Sequence, residues 1–135
     1  MTQSTQRFDP AIVRDATLHL EAFANANAGV LLSVLTSSDG FEVAVHPADS
    51  ATAARVAAMS SSIQALSEAL AREAGLSGSR SIIVESDTGT VLVFGLPQTS
   101  PPMSLAVVAT GKELLGKLLW AAKNLCKALE SSLRQ

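Results

Sequence analysis

The chain has 135 residues, 12 acidic and 10 basic side chains and a formal net charge of −2, which argues against a nucleic-acid-binding domain with its basic surface. Aromatic residues make up only 4% and there is no tyrosine, so a platform for stacking single-stranded bases is not expected. With 47% hydrophobic and 16% charged residues, the chain has little charge to cover a monomer. We therefore expect part of its apolar surface to lie between subunits.

The first part of the chain predicts a helix followed by a β-hairpin. Asp9 before Pro10 is a helix start, because aspartate caps free amides and proline fits the first helical position. Branched apolar residues then predict two strands, and Ser38-Asp39-Gly40 supplies the turn between them. The predicted ranges are a helix to about Asn25 and strands over Val30–Thr36 and Phe41–His46.

The stretch from Ser50, a plausible N-cap, to Gly75 predicts one long helix with two different faces. Large apolar residues recur along it at helical spacing, and we expect this stripe to face the protein's own core. Small residues on the opposite side would let a second backbone approach; a water-exposed face of good helix formers is the alternative. The stripe is Val56, Met59, Ile63, Leu66 and Leu70, and the small face is Ala54, Ala58, Ser61 and Ala65.

Three strands and a helix are predicted in the rest of the chain. The ranges are strands over Arg80–Glu85, Thr90–Leu96 and Met103–Ala109, and a helix from about Lys112 to Leu133. A crossover by the long helix and two hairpins predict an α+β fold: one five-stranded antiparallel sheet in the order 2-1-5-4-3, with helices on both faces. The third strand is then an edge, whose free N–H and C=O groups are available to a second copy of the chain.

No pattern in the sequence predicts catalysis, a metal ion or a cofactor, so we expect a protein that is not an enzyme. Thr110-Gly111-Lys112 lies between a strand and a helix, but a phosphate loop needs a glycine where Ala106 stands and Ser or Thr where Glu113 stands. We expect His19 and His46 to be solvated, and we expect no Glu or Asp at helical spacing from His19 on the same face that would help it bind a metal. No Gly-x-Ser-x-Gly motif of a nucleophilic serine occurs.

Two residues of the last helix stand out. Cys126 is the only cysteine, which excludes an internal disulfide, and its place on the apolar stripe predicts a buried side chain. Trp120 lies off that stripe, on the same side as Lys123 and Lys127. It is either an exposed contact residue, since tryptophan is enriched at binding hot spots, or a side chain folded over the first helix or a loop.

We expect a soluble, cytoplasmic protein of one domain over residues 1–135. The length suits a single core. The N-terminal residues 1–7 are polar, unlike a signal peptide. No apolar run approaches the ~20 residues that span a bilayer, so we expect no membrane insertion.

Four segments, in their order along the chain, resemble the Roadblock/dynein light chain family in its bacterial, stand-alone form. They are Gly29–Val34 running into Ser38–Phe41, Val56–Met59 within the long helix, Ile82–Glu85 before Asp87-Thr88-Gly89, and Leu105–Val108 leading to Leu114–Leu118. The ordered set carries the resemblance, which covers nearly all of the chain and places the core of a single roadblock domain at about residues 10–133.

The resemblance implies a profilin- or longin-like sandwich that dimerises through its second helix and third strand. It also implies a small Ras-like GTPase as partner, in signalling, polarity or motility; some relatives stimulate GTP hydrolysis and others act as scaffolds. The dimer interface would include Ala54, Ala58, Ser61, Ala65, Arg80 and Ile82. The GTPase would contact Arg55, Ser62, Glu68 and Arg72, of which we expect Glu68 and Arg72 to pair with each other.

Two alternative functions make different demands on the sequence. A small-ligand sensor domain of PAS, GAF or profilin-like type requires a helix-covered cavity with a few convergent polar groups. A small hydrolase requires a cluster of titratable groups that the sequence does not show.

Overall fold

The computed structural model describes residues 8–78, 80–111 and 114–133, and its elements follow the predicted order. The helices are α1 (Pro10–Ala26), α2 (Ala53–Glu73) and α3 (Leu115–Leu133). The strands are β1 (Val30–Ser37), β2 (Glu42–His46), β3 (Ser81–Glu85), β4 (Gly89–Leu96) and β5 (Met103–Thr110). The predicted start of the last helix, at Lys112, lies outside the described residues.

The strands form one antiparallel sheet in the order β2-β1-β5-β4-β3, as predicted. Helices α1 and α3 pack on one face of the sheet over the larger core, which contains the fully buried Leu20, Leu105 and Leu129. Helix α2 covers the other face with a smaller core built around Leu32 and Val34. None of the helices in the described part of the chain is long and apolar enough to cross a membrane.

The two helices that follow predicted caps begin differently. Asp9 Oδ1 accepts a hydrogen bond of 2.9 Å from the Ala11 amide, so aspartate caps α1 as predicted. The prediction of Ser50 as the cap of α2 was wrong, because the helix begins at Ala53 with Thr52 in the cap position. The Ser50 hydroxyl instead accepts a hydrogen bond from the Thr52 amide at 3.3 Å.

Helix α2 lies on the sheet by a different face from the one predicted. The residues that it buries are small or polar: Ala53, Ala57, Ser60 and Gln64. The large apolar stripe that we expected in the core is largely exposed, and this prediction was wrong. Periodicity identifies a stripe of like residues but not what covers it, and small side chains are the ones that let a helix lie close to a sheet.

Glycines with positive φ mark two of the predicted chain reversals. Gly40 (φ 92°) turns the chain between β1 and β2, and Gly75 and Gly78 (φ 79° and 73°) follow α2. This left-handed backbone is strained for residues that carry a Cβ, and the positions agree with the turn and the helix exit predicted from the sequence.

Candidate protein interface

One side of α2 exposes a row of large apolar residues that the fold itself does not cover. We define the α2 apolar stripe as Val56, Met59, Ile63, Leu66 and Leu70. Met59, Leu66 and Leu70 are 62%, 69% and 68% exposed, and Val56 and Ile63 are half-buried. Single exposed apolar residues are common on protein surfaces, but several in a row along one helix mark an interaction surface.

The sheet beside α2 also leaves apolar residues uncovered. Val84 of β3 lies opposite Val91 of β4, which lies opposite Val108 of β5. Val108 packs into the core under α2, and directly opposed residues point to the same face. Helix α2 packs mainly over β1 and β5, so Val84, on the same face, remains 43% exposed.

The outer edge of β3 presents backbone groups to which no strand in the described structure pairs. The Ser86 amide donates to the Gly89 carbonyl at 2.9 Å, and the register continues from this pair to Val84 opposite Val91. Because hydrogen-bonded and non-hydrogen-bonded pairs alternate in an antiparallel ladder, the amides of Ile83 and Glu85 point away from β4. This edge is therefore open to another strand.

The opposite flank of α2, with the small residues, lies partly against the protein's own β1–β2 turn. The Ser61 hydroxyl donates to the Ser38 carbonyl at 2.9 Å, and a Cβ on Gly40 would lie 3.6 Å from the Ala58 Cα. Ala54 and Ala65 of this flank are exposed. On β3, Ile82 is half-buried and the preceding Arg80 is exposed. No contact in the structure tests the prediction that these six residues form the dimer interface, and the α2 apolar stripe offers a competing surface of α2 for the same contact.

All four residues predicted to contact a GTPase are exposed on α2: Arg55, Ser62, Glu68 and Arg72. Arg55 and Ser62 are two helical turns apart and share the outer side of the helix, away from the buried Ala57 and Gln64. The predicted Glu68–Arg72 pair is not among the ion pairs of the described residues; Glu68 accepts a hydrogen bond from Gln64 Nε2 at 3.2 Å instead. Arg55 and Ser62 therefore lie on a different side of α2 from Glu68 and Arg72.

The structure also places the histidine, cysteine and tryptophan side chains that stand out in the sequence. The expectation that His19 has no carboxylate beside it was wrong, because Asp15 lies one turn earlier with 4.0 Å between His19 Nε2 and Asp15 Oδ2. Within the described ranges, no three metal-ligating side chains are grouped to hold an ion. Cys126 is buried as predicted. Trp120 is 70% exposed, which confirms the alternative in which it is available for contact.

A concave region of about 750 Å³ lies beside β3 and is open to solvent. Its rim mixes the cationic Arg80, Lys123 and Lys127 with the anionic Glu68 and Glu130. A sensor domain needs an enclosed pocket with convergent polar groups, and this region selects no one class of charged ligand.

The chain thus combines an exposed apolar stripe on α2 with an open strand edge, on an α+β sandwich. The family model of the Roadblock/LC7 domain matches residues 17–98. The chain belongs to this family.

Solved structures of roadblock proteins share the fold. The Roadblock/LC7 domain from Streptomyces avermitilis superposes with a TM-score of 0.77 at 24% identity, covering 87% of this chain and 96% of that one. An MglB in a tetrameric arrangement gives a TM-score of 0.81 at 20% identity, with 93% of each chain covered. The gliding protein MglB from Thermus thermophilus gives 0.79 at 18% identity, again with 93% of each covered. No curated protein matches the chain.

Proposed function

We propose that this protein is a homodimeric, non-catalytic regulator or scaffold that binds a small Ras-like GTPase. Membership of the Roadblock/LC7 family supports this function, as does the likeness in fold to the gliding protein MglB. The observation that carries the proposal is the α2 apolar stripe lying beside the open edge of β3. Stimulation of GTP hydrolysis by the bound GTPase is the finer form of the same proposal.

The proposed dimer pairs β3 with β3 of a second copy, so that the two sheets become one and the two α2 helices meet. Burying the exposed parts of Met59, Leu66 and Leu70 contributes roughly 1–2 kcal/mol each. A micromolar dimer needs about 8 kcal/mol, so the stripe alone is not enough. The backbone hydrogen bonds of an added strand and the apolar face around Val84 supply further contacts.

The two flanks of α2 give a direct test of the dimer and of its orientation. We expect Leu70→Asp to dissociate the dimer because it places a charge in the apolar contact. Ala54→Glu introduces the same charge on the other flank, and we expect it to leave the dimer intact. Sedimentation velocity at micromolar concentration measures both. If the wild-type protein is a monomer, the proposed dimer is wrong. If only Ala54→Glu dissociates the dimer, the interface is the small-residue face of α2 instead.

The proposed GTPase contact is the outer side of α2, at Arg55 and Ser62, beside the residues that the dimer buries. The test uses a Ras-like GTPase encoded beside this gene, with binding and GTP turnover measured in the presence and absence of this protein. We expect binding by the pair, changed turnover, and no hydrolysis by this protein alone. Arg55→Glu should weaken binding about tenfold, as expected for a lost interfacial charge. Arg14→Glu on the exposed side of α1 is the matched control, and a GTPase that does not bind refutes the partnership.

A further inference from the structure

A second apolar depression lies on the opposite side of the sheet from α2. It is a groove of about 460 Å³ between α1 and α3, with Ala22 and Ala26 on one wall and Trp120 and Ala121 on the other. Lys117 and Asn124 also line it. It is concave and close in size to a small ligand pocket, which fits a few side chains rather than a folded domain.

The shape of the groove leaves room beside the indole ring of Trp120. Ala22 and Ala26 are short side chains on an exposed side of α1, so the wall facing Trp120 is low. Gly116 precedes Trp120 by one turn, and a Cβ there would meet no atom within 4 Å. An indole that is 70% exposed beside open space is a typical anchor for a partner's aliphatic side chain.

Three lysines lie on the exposed side of α3 although the whole chain is acidic. Lys117 lines this groove, whereas Lys123 and Lys127, three and seven residues after Trp120, lie beside it and line the region next to β3. The one acidic residue in the described part of α3, Glu130, accepts a hydrogen bond from the Gln98 amide at 3.0 Å. Three exposed lysines against one half-buried glutamate give this part of α3 a net positive charge, which complements carboxylates.

The acidic groups of α1 define where an anionic partner can lie. Asp15 lies one turn before His19, which lines the groove, and is held by His19 at 4.0 Å and by the Ser132 hydroxyl near the end of α3; Glu21 is exposed. A broad anionic surface such as a membrane would meet both carboxylates. A narrow segment lying over Lys117 and Trp120, in the first half of α3, keeps away from the end of the helix where Asp15 is held.

From these contacts we propose that the groove binds an acidic, amphipathic segment of a partner protein. Aliphatic side chains of the segment enter the groove against Trp120, and its carboxylates face Lys117, Lys123 and Lys127. With α2 on the other face of the sheet, the protein then has a second contact surface, independent of the dimer interface.

The single tryptophan and the absence of tyrosine make intrinsic fluorescence a direct measure of this groove. The probe is a synthetic helix-forming peptide of Leu, Ala and Glu, with leucines at helical spacing. We expect saturable binding with a blue shift of the Trp120 emission, weakened by added salt. The same peptide with Gln for Glu should bind about tenfold more weakly, and so should the Glu peptide to the Lys117→Glu protein. Arg14→Glu carries the same charge change outside the groove and should bind normally.

Four results would overturn the proposal. The first two are the absence of a saturable shift of the Trp120 emission with the acidic peptide, and equal binding of the Glu and Gln peptides. The third is a shift of the emission with vesicles of phosphatidylserine and phosphatidylcholine but not with peptide. The fourth is a shift of the emission caused by raising the protein concentration alone. Leu70→Asp protein should bind the peptide as wild type does. Failure of the groove is therefore distinguishable from failure of the dimer.

Discussion

The thiol of Cys126 lies on the buried side of α3. Burial raises its pKa to about 12, and the negative charge of Glu130 adds to the effect. A thiolate is the reactive form of cysteine, so this thiol stays protonated and unreactive in the folded protein at neutral pH. It acts as a small apolar side chain in the core.

This raised pKa predicts a loss of stability at high pH. The folded protein holds the proton more tightly than the unfolded chain, so the stabilisation is fully present below about pH 9 and is lost as the pH rises towards 12. In that window the free energy of unfolding falls by up to about 1.4 kcal/mol per pH unit. Urea unfolding of the wild-type protein and of Cys126→Ala, at the low and high ends of this pH range, measures the loss of stability. Equal pH dependence of the two proteins would contradict the prediction, and the variant corrects for all other titrating groups.

Cys126 and Trp120 show what a sequence predicts about single residues. The burial of Cys126 follows from its place on the apolar stripe of its own helix. For Trp120 the sequence left open whether the side chain is exposed or folded over another element. Its exposure depends on how α1 lies beside α3, and those contacts join residues far apart in the chain. The carboxylate beside His19 follows from helical spacing alone, and the sequence did contain that information.

At the scale of elements, α1 and α2 begin in contrasting ways. Asp9 accepts a hydrogen bond from the amide of Ala11, the second residue of α1, whereas Thr52 makes no side-chain capping bond to α2. We expect Asp9→Ala to lower the free energy of unfolding by about 1 kcal/mol, the usual value of an N-cap. Thr52→Ala should change it by less than about 0.5 kcal/mol. The urea midpoints of the two variants test this, and an equal loss in both would show that the capping bond does not stabilise the protein.

Helix and strand positions were predictable because they depend on local periodicity and turn residues. The face by which α2 packs on the sheet was not predictable, because it depends on the distance between the helix and the sheet. Gly95 illustrates this: a Cβ there would come within 2.8 Å of Gln64 Nε2. Small residues on both elements bring α2 close to the sheet, and its large residues are left for another surface. The contacts across the proposed dimer interface involve a second chain and stay a prediction.

For the whole molecule, the strand order places β3 at the edge of the sheet, and the proposed dimer extends the sheet there. The amides of Ile83 and Glu85 point outwards, whereas those of Ile82 and Val84 point to β4. In a monomer only the inner pair is protected from hydrogen exchange; in the dimer both pairs are. This alternation is a fingerprint of strand pairing that a contact through α2 alone would not produce.

We therefore expect amide exchange at Ile83 and Glu85 to be slow in the dimer and to accelerate on dilution, while Val84 stays protected within the chain. Ile83→Pro removes one outward N–H and no bond to β4, a change that edge strands tolerate. It should yield a folded monomer, with Val84 still protected and the circular dichroism of wild type. Measurement by hydrogen-exchange NMR at two concentrations decides the matter. A dimer that persists in Ile83→Pro, or outer amides that exchange freely in the wild-type dimer, would show that the two copies do not meet along β3.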